Sequence, residues 1–276
     1  MSIPRERIDV LLVEQGYYDS REKAKKAIMA GLVYTNEERI EKAGMKVPRD
    51  VSIKVKGALH PYVSRGGLKL EKAIRQFGLS FDGSVMLDIG ASTGGFTDCA
   101  LQNGASQVYA IDVGYNQLDW SLRNDERVHV MERTNFRYME PEHLKGPQPD
   151  TATIDVSFIS LKLILPPLKR LLASGGRVVA LIKPQFEAGR EKVGKSGVVR
   201  DPNTHEQVLR DVLDFAASIG FHLEGLTYSP ITGGEGNIEF LAYWTVPEQA
   251  NELEEHISRE GIAAVVKEAN STFRTS

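Results

Sequence analysis

Residues 85–97 read Val85-Met86-Leu87-Asp88-Ile89-Gly90-Ala91-Ser92-Thr93-Gly94-Gly95-Phe96-Thr97, and their reading decides the fold. Val85 to Leu87 supply the apolar run of a short buried strand. Gly90, Gly94 and Gly95 let the backbone turn tightly and come close to a ligand, and a helix begins at Phe96. Strand, glycine loop and helix N-terminus together make a nucleotide-binding corner. The dinucleotide signature G-x-G-x-x-G is absent, because Ser92 stands at its second glycine position.

A second strand extends the corner. Gln107 to Asp112 is an apolar run ending in an acid, and Asp112 follows Asp88 by 24 residues. That is close to the roughly 20-residue offset at which a carboxylate meets ribose hydroxyls in Rossmann-type folds. The competing role for Asp112 is a cap on a helix over 116–123. An acid just before the first glycine, with D-x-G-x-x-x-G spacing, resembles the S-adenosylmethionine-dependent methyltransferases. The resemblance implies S-adenosylmethionine as cofactor, whose cationic amino group tolerates a nearby carboxylate. The candidate cofactor-binding residues are then Asp88, Gly90, Ala91, Ser92, Thr93, Gly94, Gly95, Phe96, Thr97 and Asp112.

Outward from this corner the chain alternates strands and helices. Strands are expected over 128–131, 151–155, 176–183, 221–228 and 239–246, with the 176–183 run apolar on both faces as in a central parallel strand. Pro166-Pro167 should kink or split a helix over 161–172. Thr204-His-Glu-Gln207 reads as a capping box opening a helix over 205–219. The pattern gives an α/β fold, a seven-stranded mostly parallel Rossmann-like sheet with helices on both faces.

With 276 residues the chain has room for this domain and a smaller one. No run approaches the ~18 apolar residues of a membrane span, and Met1 to Arg7 contain no signal-peptide core. The single Cys99 forms no internal disulfide and sits among apolar neighbours, so a packing role and a cytoplasmic location are expected. No His/Cys cluster has metal-ligand spacing. The net charge of −3 argues against indiscriminate nucleic-acid binding, yet residues 1–60 carry 12 Lys/Arg against 9 Asp/Glu. The last thirty residues hold six Glu and three Lys/Arg, the pattern of a solvated helix face.

The basic segment has its own organisation. Residues 5–16 place apolar side chains at helical spacing and stop at Gly16, and Ser20 caps a second helix from Arg21 to Gly31. Ala24, Ala27 and Ile28 form its buried stripe, with Arg21, Lys25 and Lys26 outside. Short strands follow at 32–34 and 51–56. This small α+β unit resembles the RNA-binding fold of a small-subunit ribosomal protein, the alpha-L motif. Its basic face is either phosphate-binding or merely solvated, and the scarcity of interleaved acids favours phosphate. The resulting domain division is 1–57 for RNA binding, a linker at 58–66, a catalytic domain at 67–250 and a C-terminal helix and tail at 251–276. Arg7, Arg21, Lys23, Lys25, Lys26 and Arg65 are candidate RNA contacts. So are Arg190, Lys192 and Lys195, in a Gly-rich basic loop over 189–200 that either grips phosphate or is simply solvated.

Ligands of open α/β sheets bind outside the carboxyl ends of the strands. Asp155 ends the fourth strand and Lys183 the fifth, so both should project into the crevice. Glu239 begins the last strand, which runs antiparallel in methyltransferase sheets and so starts at the same edge. Lys69 opens the helix over 67–78, where a cation meets the positive end of the dipole and needs a compensating partner. The candidate catalytic set is Lys69, Asp155, Lys183 and Glu239. Amine methyltransferases commonly carry Asp/Asn-Pro-Pro-aromatic where this chain has Asp155-Val-Ser-Phe158, and Cys99 is misplaced as a nucleophile for carbon methylation. A sugar hydroxyl remains, a poor nucleophile that needs a base; a lysine near cationic neighbours can serve.

Ser64-Arg-Gly-Gly-Leu-Lys69, Asp88-Ile-Gly-Ala-Ser-Thr-Gly-Gly-Phe96, Asp155-Val-Ser-Phe-Ile-Ser160, Lys183-Pro-Gln-Phe-Glu187 and Gly236-Asn-Ile-Glu239 occur in this order. On these motifs the chain resembles the TlyA ("hemolysin A") family. These are FtsJ-like ribose methyltransferases fused to an N-terminal alpha-L domain, although residues 58–66 lack a tryptophan found in some relatives. The resemblance implies 2′-O-methylation by the Lys69–Asp155–Lys183–Glu239 tetrad, with ribosomal RNA, within ribosomal subunits, as partner, and no membrane or metal. Two other readings are a non-enzymatic ribosome-assembly factor, which the intact tetrad disfavours, and a membrane-lysing protein. The second is opposed by the lack of any span, signal or basic amphipathic helix.

Overall fold

The computed structural model describes residues 4–18, 20–35, 38–55, 60–247 and 258–274. The expected strand residue Lys56, linker residues 58 and 59, and tail residues 251–257 lie outside them.

The first unit comprises β1 (Arg5–Arg7), α1 (Ile8–Glu14), α2 (Arg21–Met29), β2 (Val33–Thr35), β3 (Glu38–Arg39), β4 (Lys46–Pro48) and β5 (Ile53–Val55). β2 is the middle of a three-stranded antiparallel sheet with β3 and β5, and β1 pairs with β4. Ile8, Leu11, Leu12, Ala24, Ile28 and Val33 close one small core. Ser20 caps α2 by accepting from the Lys23 N–H at 3.3 Å. The expected helix from residue 5 begins instead at Ile8, because Arg5–Arg7 is drawn into the ladder with β4.

The second unit runs α3 (Gly67–Phe77), β6 (Val85–Ile89), α4 (Gly95–Gln102), β7 (Gln107–Ile111), α5 (Trp120–Arg123), β8 (Val128–Met131), β9 (Thr151–Ile154), α6 (Leu165–Leu171), β10 (Arg177–Ile182), α7 (Pro184–Glu187), α8 (Pro202–Ser218), β11 (His222–Tyr228), β12 (Phe240–Thr245) and α9 (Arg259–Arg274). Its seven-stranded sheet has the order β11-β12-β10-β9-β6-β7-β8, and β12 alone runs against the direction of the other six strands. Side chains alternate between two cores, as the pleat requires. Leu87, Ile89, Val178, Ala180 and Ile182 face α6, α8 and α9, while Met86, Val179 and Leu181 face α3 and α4. Cys99 is fully buried in the second of these cores.

Several boundaries differ from the sequence expectation for local reasons. The stretch 161–172 is split as expected, into a 3-10 turn at Leu161–Leu163 and α6. Pro166 and Pro167, however, sit in the first turn of α6, where a missing N–H costs nothing, and not at the break. The cap of α8 is Asp201 rather than Thr204, accepting from the Asn203 and Thr204 N–H groups at 3.2 and 3.1 Å. Only Trp120–Arg123 is helical in the 116–123 stretch, capped by Asp119, because Asn116 adopts φ +57°. Tyr62, placed in the linker by its neighbours, is buried in the second of these cores under α3. The C-terminal helix α9 also docks, burying Ile262, Val266 and Ala269 against the sheet's other face.

Candidate active site

The chain reverses its winding direction at β6, with β9 on one side and β7 on the other. This switch point is where ligand crevices open. A cleft of about 590 Å³ lies there. Gly90, Ala91, Ser92, Thr93, Gly95 and Phe96 form one wall, and Lys69, Asp155, Lys183 and Glu239 form its floor.

The four polar residues make one connected chain. Lys183 Nζ donates to Asp155 Oδ1 at 2.5 Å, Lys69 Nζ to Asp155 Oδ2 at 3.3 Å, and Lys69 Nζ to Glu239 Oε2 at 2.7 Å. Their side chains are 9% (Lys183), 19% (Asp155), 10% (Lys69) and 3% (Glu239) exposed, so the pairs are largely desolvated. Two cations balance two carboxylates, the arrangement that makes burial of such charges tolerable. Burial opposes the Asp155 carboxylate, yet Lys183 and Lys69 outweigh it and hold its pKa well below the ordinary range. Burial likewise pulls on Lys69, but Asp155 and Glu239 win and raise its pKa. The partner that a lysine at the start of α3 requires is thus Glu239, 170 positions away. The ionic partner of Lys183 is the Asp155 carboxylate.

Residues outside the expected set complete the floor. Lys183 Nζ also donates to Ser157 Oγ at 3.1 Å, and Gln185 Nε2 donates to the second Glu239 oxygen at 3.4 Å. Both lie inside motifs whose first residues alone were assigned roles: Ser157 within Asp155-Val-Ser-Phe158, and Gln185 within Lys183-Pro-Gln-Phe-Glu187. Phe158 stands at φ +63°, is 90% exposed, and packs its ring 4.9 Å from that of Phe186. Glu14 and Gly16 of the first unit reach the same cleft.

The glycine loop does not use all its residues in one way. At Gly90 (φ +87°) a Cβ would stand 2.6 Å from the Asp155 carbonyl oxygen, and at Gly95 one would stand 2.4 Å from Ser64 Oγ. These glycines therefore admit neighbouring parts of the chain, and bring the loop against the strand end that carries Asp155. Asp88 and Thr97 lie beneath the loop and not on the cleft wall. Asp88 accepts from Thr97 Oγ1 at 2.6 Å and from Thr153 Oγ1 at 3.2 Å, tying β6 to α4 and β9. Burial pushes the Asp88 carboxyl up to about 7 despite those donors. Gly94 (φ +98°) packs on Leu118 and Leu122. Asp112 is also set back from the cleft, accepting from the Ser92 N–H at 2.8 Å and the Gly114 N–H at 2.7 Å. It anchors the loop and does not cap a helix, and a carboxylate with about four acceptor positions retains two.

The expected RNA contacts divide into two kinds. Arg7 and Arg21 both clamp the carboxylate of Asp9, which is wholly buried, with shortest distances of 2.9 and 2.8 Å. Lys23, Lys25 and Lys26 stand exposed on α2, Arg65 lines the cleft, and Arg190, Lys192 and Lys195 are exposed on the loop beside it. That loop also walls the cleft through Val193, Ser196 and Gly197, with its far end fixed by Asn237, which accepts from the Val199 N–H at 3.1 Å.

The chain matches the FtsJ-like methyltransferase family over residues 62–245 and an S4 domain over residues 6–53. It is 58% identical over 274 residues to YqxC of Bacillus subtilis, described as a candidate rRNA methyltransferase, covering 99% of this chain and 97% of that one. It is 41% identical over 240 residues to the 16S/23S rRNA (cytidine-2′-O)-methyltransferase TlyA of Mycobacterium tuberculosis, covering 87% and 89% respectively. A solved structure from Streptococcus thermophilus, described as a candidate hemolysin, superposes with a TM-score of 0.83 at 52% identity, covering 99% and 98%. With its family signature spanning the whole sheet and floor of the cleft, the chain belongs to the FtsJ-like methyltransferases and carries an S4 domain ahead of the catalytic one.

Proposed function

We propose that this protein is an S-adenosylmethionine-dependent methyltransferase that modifies a ribose 2′-hydroxyl of ribosomal RNA. The observation that carries the reading is the Lys183–Asp155–Lys69–Glu239 chain on the floor of a cleft whose wall is the family's glycine loop. The cleft fits the cofactor: Gly90 to Thr93 present a small-residue wall at the strand end, and Asp112 and Asp88 brace that wall from behind. When bound, S-adenosylmethionine supplies an electrophilic methyl group on a sulfonium.

The chain's own part is placement and proton handling. Lys183 Nζ, oriented by the Asp155 carboxylate, steers or deprotonates the 2′-hydroxyl. Lys69 holds the other Asp155 oxygen, Glu239 fixes Lys69, and Gln185 fixes Glu239 in turn. Ser157 limits where Lys183 Nζ can point. Placing the reacting atoms in line at ~3 Å provides much of the rate. The exposed face of Phe158 at the cleft gives an unstacked base a platform, in the way single-stranded RNA is commonly held. Lys23, Lys25 and Lys26 on α2 and the 190–195 loop supply phosphate contacts, with Arg7 and Arg21 adding one net charge after Asp9 is counted.

Among the described residues no helix is long and apolar enough to cross a membrane. The test is incubation of the full-length chain with methyl-labelled S-adenosylmethionine and ribosomal RNA, both naked and assembled in subunits. Label should enter RNA in at least one of these forms. Cofactor binding without transfer to any of them would leave a scaffold protein and overturn the proposal.

A further inference from the structure

Glu187 closes α7 and touches none of the four floor residues, yet it is tied to the turn that carries one of them. Its Oε2 accepts from Ser160 Oγ at 2.6 Å and its Oε1 from the Leu161 N–H at 2.8 Å. It is the last of a series of contacts that join the turn after β10 to the turn after β9. Lys183 meets Ser157 at 3.1 Å, Phe186 meets Phe158 at 4.9 Å, and Glu187 meets Ser160 and Leu161. The two turns therefore run side by side, with Lys183 and Asp155 at one end and Glu187 at the other.

The β9 turn needs such a fastening. Phe158 holds φ +63°, a conformation costly for an aromatic residue that persists only where neighbouring contacts over-determine it. Phe158 is almost fully exposed, so its own burial fixes little. The donors that satisfy Glu187 come from the other end of the turn, and both are short. Burial raises the Glu187 pKa, with Ser160 and the Leu161 N–H acting against it, so the carboxylate is held by the turn as much as it holds the turn.

We propose that Glu187 is a positioning residue for methyl transfer: by gripping Ser160 and Leu161 it fixes the 155–160 turn and so sets where Asp155 and Ser157 hold the Lys183 amine. The proposal rests on the methyltransferase reading above. A misplacement of about 1 Å in such a site costs on the order of 10²-fold in rate. Glu187→Ala should therefore lower kcat by roughly 10- to 100-fold, with the Kd for S-adenosylmethionine within about twofold of wild type, since no cofactor-wall residue touches Glu187. Glu187→Gln keeps an acceptor oxygen and should recover most of that loss.

Rates are measured at saturating cofactor with ribosomal RNA in its best accepted form, and scaled to the fraction of protein that binds S-adenosylmethionine by calorimetry. Ser160→Ala breaks one of the two bonds and also the cap that Ser160 Oγ gives the Lys162 N–H at 3.1 Å. The Ser160→Ala/Glu187→Ala double variant should therefore lose less than the sum of the two single losses in free energy. If Glu187→Ala does not fold, Glu187→Gln and Ser160→Ala carry the test: each should slow transfer, and together should be less than additive in free energy. Unchanged kcat per binding-competent molecule in Glu187→Ala, equal loss in the Ala and Gln variants, or strict additivity with Ser160→Ala would overturn the proposal. An inactive wild-type protein would instead overturn the methyltransferase reading, so the two failures are distinct.

Discussion

Two carboxylates in this molecule are each held between two cations, and they behave differently. Asp9 in the first unit is clamped by Arg7 and Arg21, and Asp155 in the second by Lys69 and Lys183. Arg7 and Arg21 are 40% and 50% exposed, with the carboxylate wholly buried beneath them. The two lysines are about 10% exposed or less and line a cleft. Guanidinium stays protonated and its planar fork locks the pair, whereas an amine can lose and regain a proton. The same two-cations-one-acid motif is a fastener where it is built from arginine, and under the proposed function it handles the substrate hydroxyl where it is built from lysine at a strand end.

The largest expected effect comes from making the second cluster resemble the first. Lys183→Arg preserves the charge and an ion pair with Asp155, so folding and cofactor affinity should stay close to wild type. Methyl transfer should fall by roughly 10²–10⁴-fold, the usual worth of a general base. Single-turnover kinetics with calorimetric binding separates the two quantities. Transfer near the wild-type rate would remove the distinction between the clusters.

A smaller effect is expected at the arginine cluster. Hydrogen bonds from Arg7 lead the forces that lower the Asp9 pKa to about 2, against burial and with help from Arg21. Its folded pKa is depressed, so its contribution to stability is present above the unfolded value near 4 and is lost as pH falls through about 2. Asp9→Asn should cost ~2 kcal/mol at neutral pH and shrink towards no difference between pH 4 and 2. Denaturant unfolding of both proteins across that range checks it, and a pH-independent difference would contradict the account.

What could be read in the sequence followed from position along strands. Asp155, Lys183 and Glu239 are legible because each ends or precedes a strand, and the topology sends those ends to one edge. Lys69 was legible only as an unexplained charge at a helix start, its partner being fixed by the fold. Ser157 and Gln185 escaped because their roles depend on side-chain direction within a turn. The Asp9 clamp escaped because helical spacing says nothing of a partner twelve residues on in another helix. At residues 201–204 two capping signals overlap, and Asp201 before Pro202 prevails since proline suits the first helical position. Over the last thirty residues the count of glutamates suggested a solvated helix, while the spacing of Ile262, Val266 and Ala269 marks the face that packs.

The central claim is that the lysine cluster directs a methyl group to a ribose oxygen, and the chemistry of the product tests it most directly. A 2′-O-methyl group prevents that oxygen from attacking the adjacent phosphate, so ribosomal RNA treated with this protein and S-adenosylmethionine should resist alkaline cleavage at the modified nucleotide. RNA from a Lys183→Ala reaction should show the uninterrupted cleavage ladder. A methylated product that alkali still cleaves at the modified position would contradict the account.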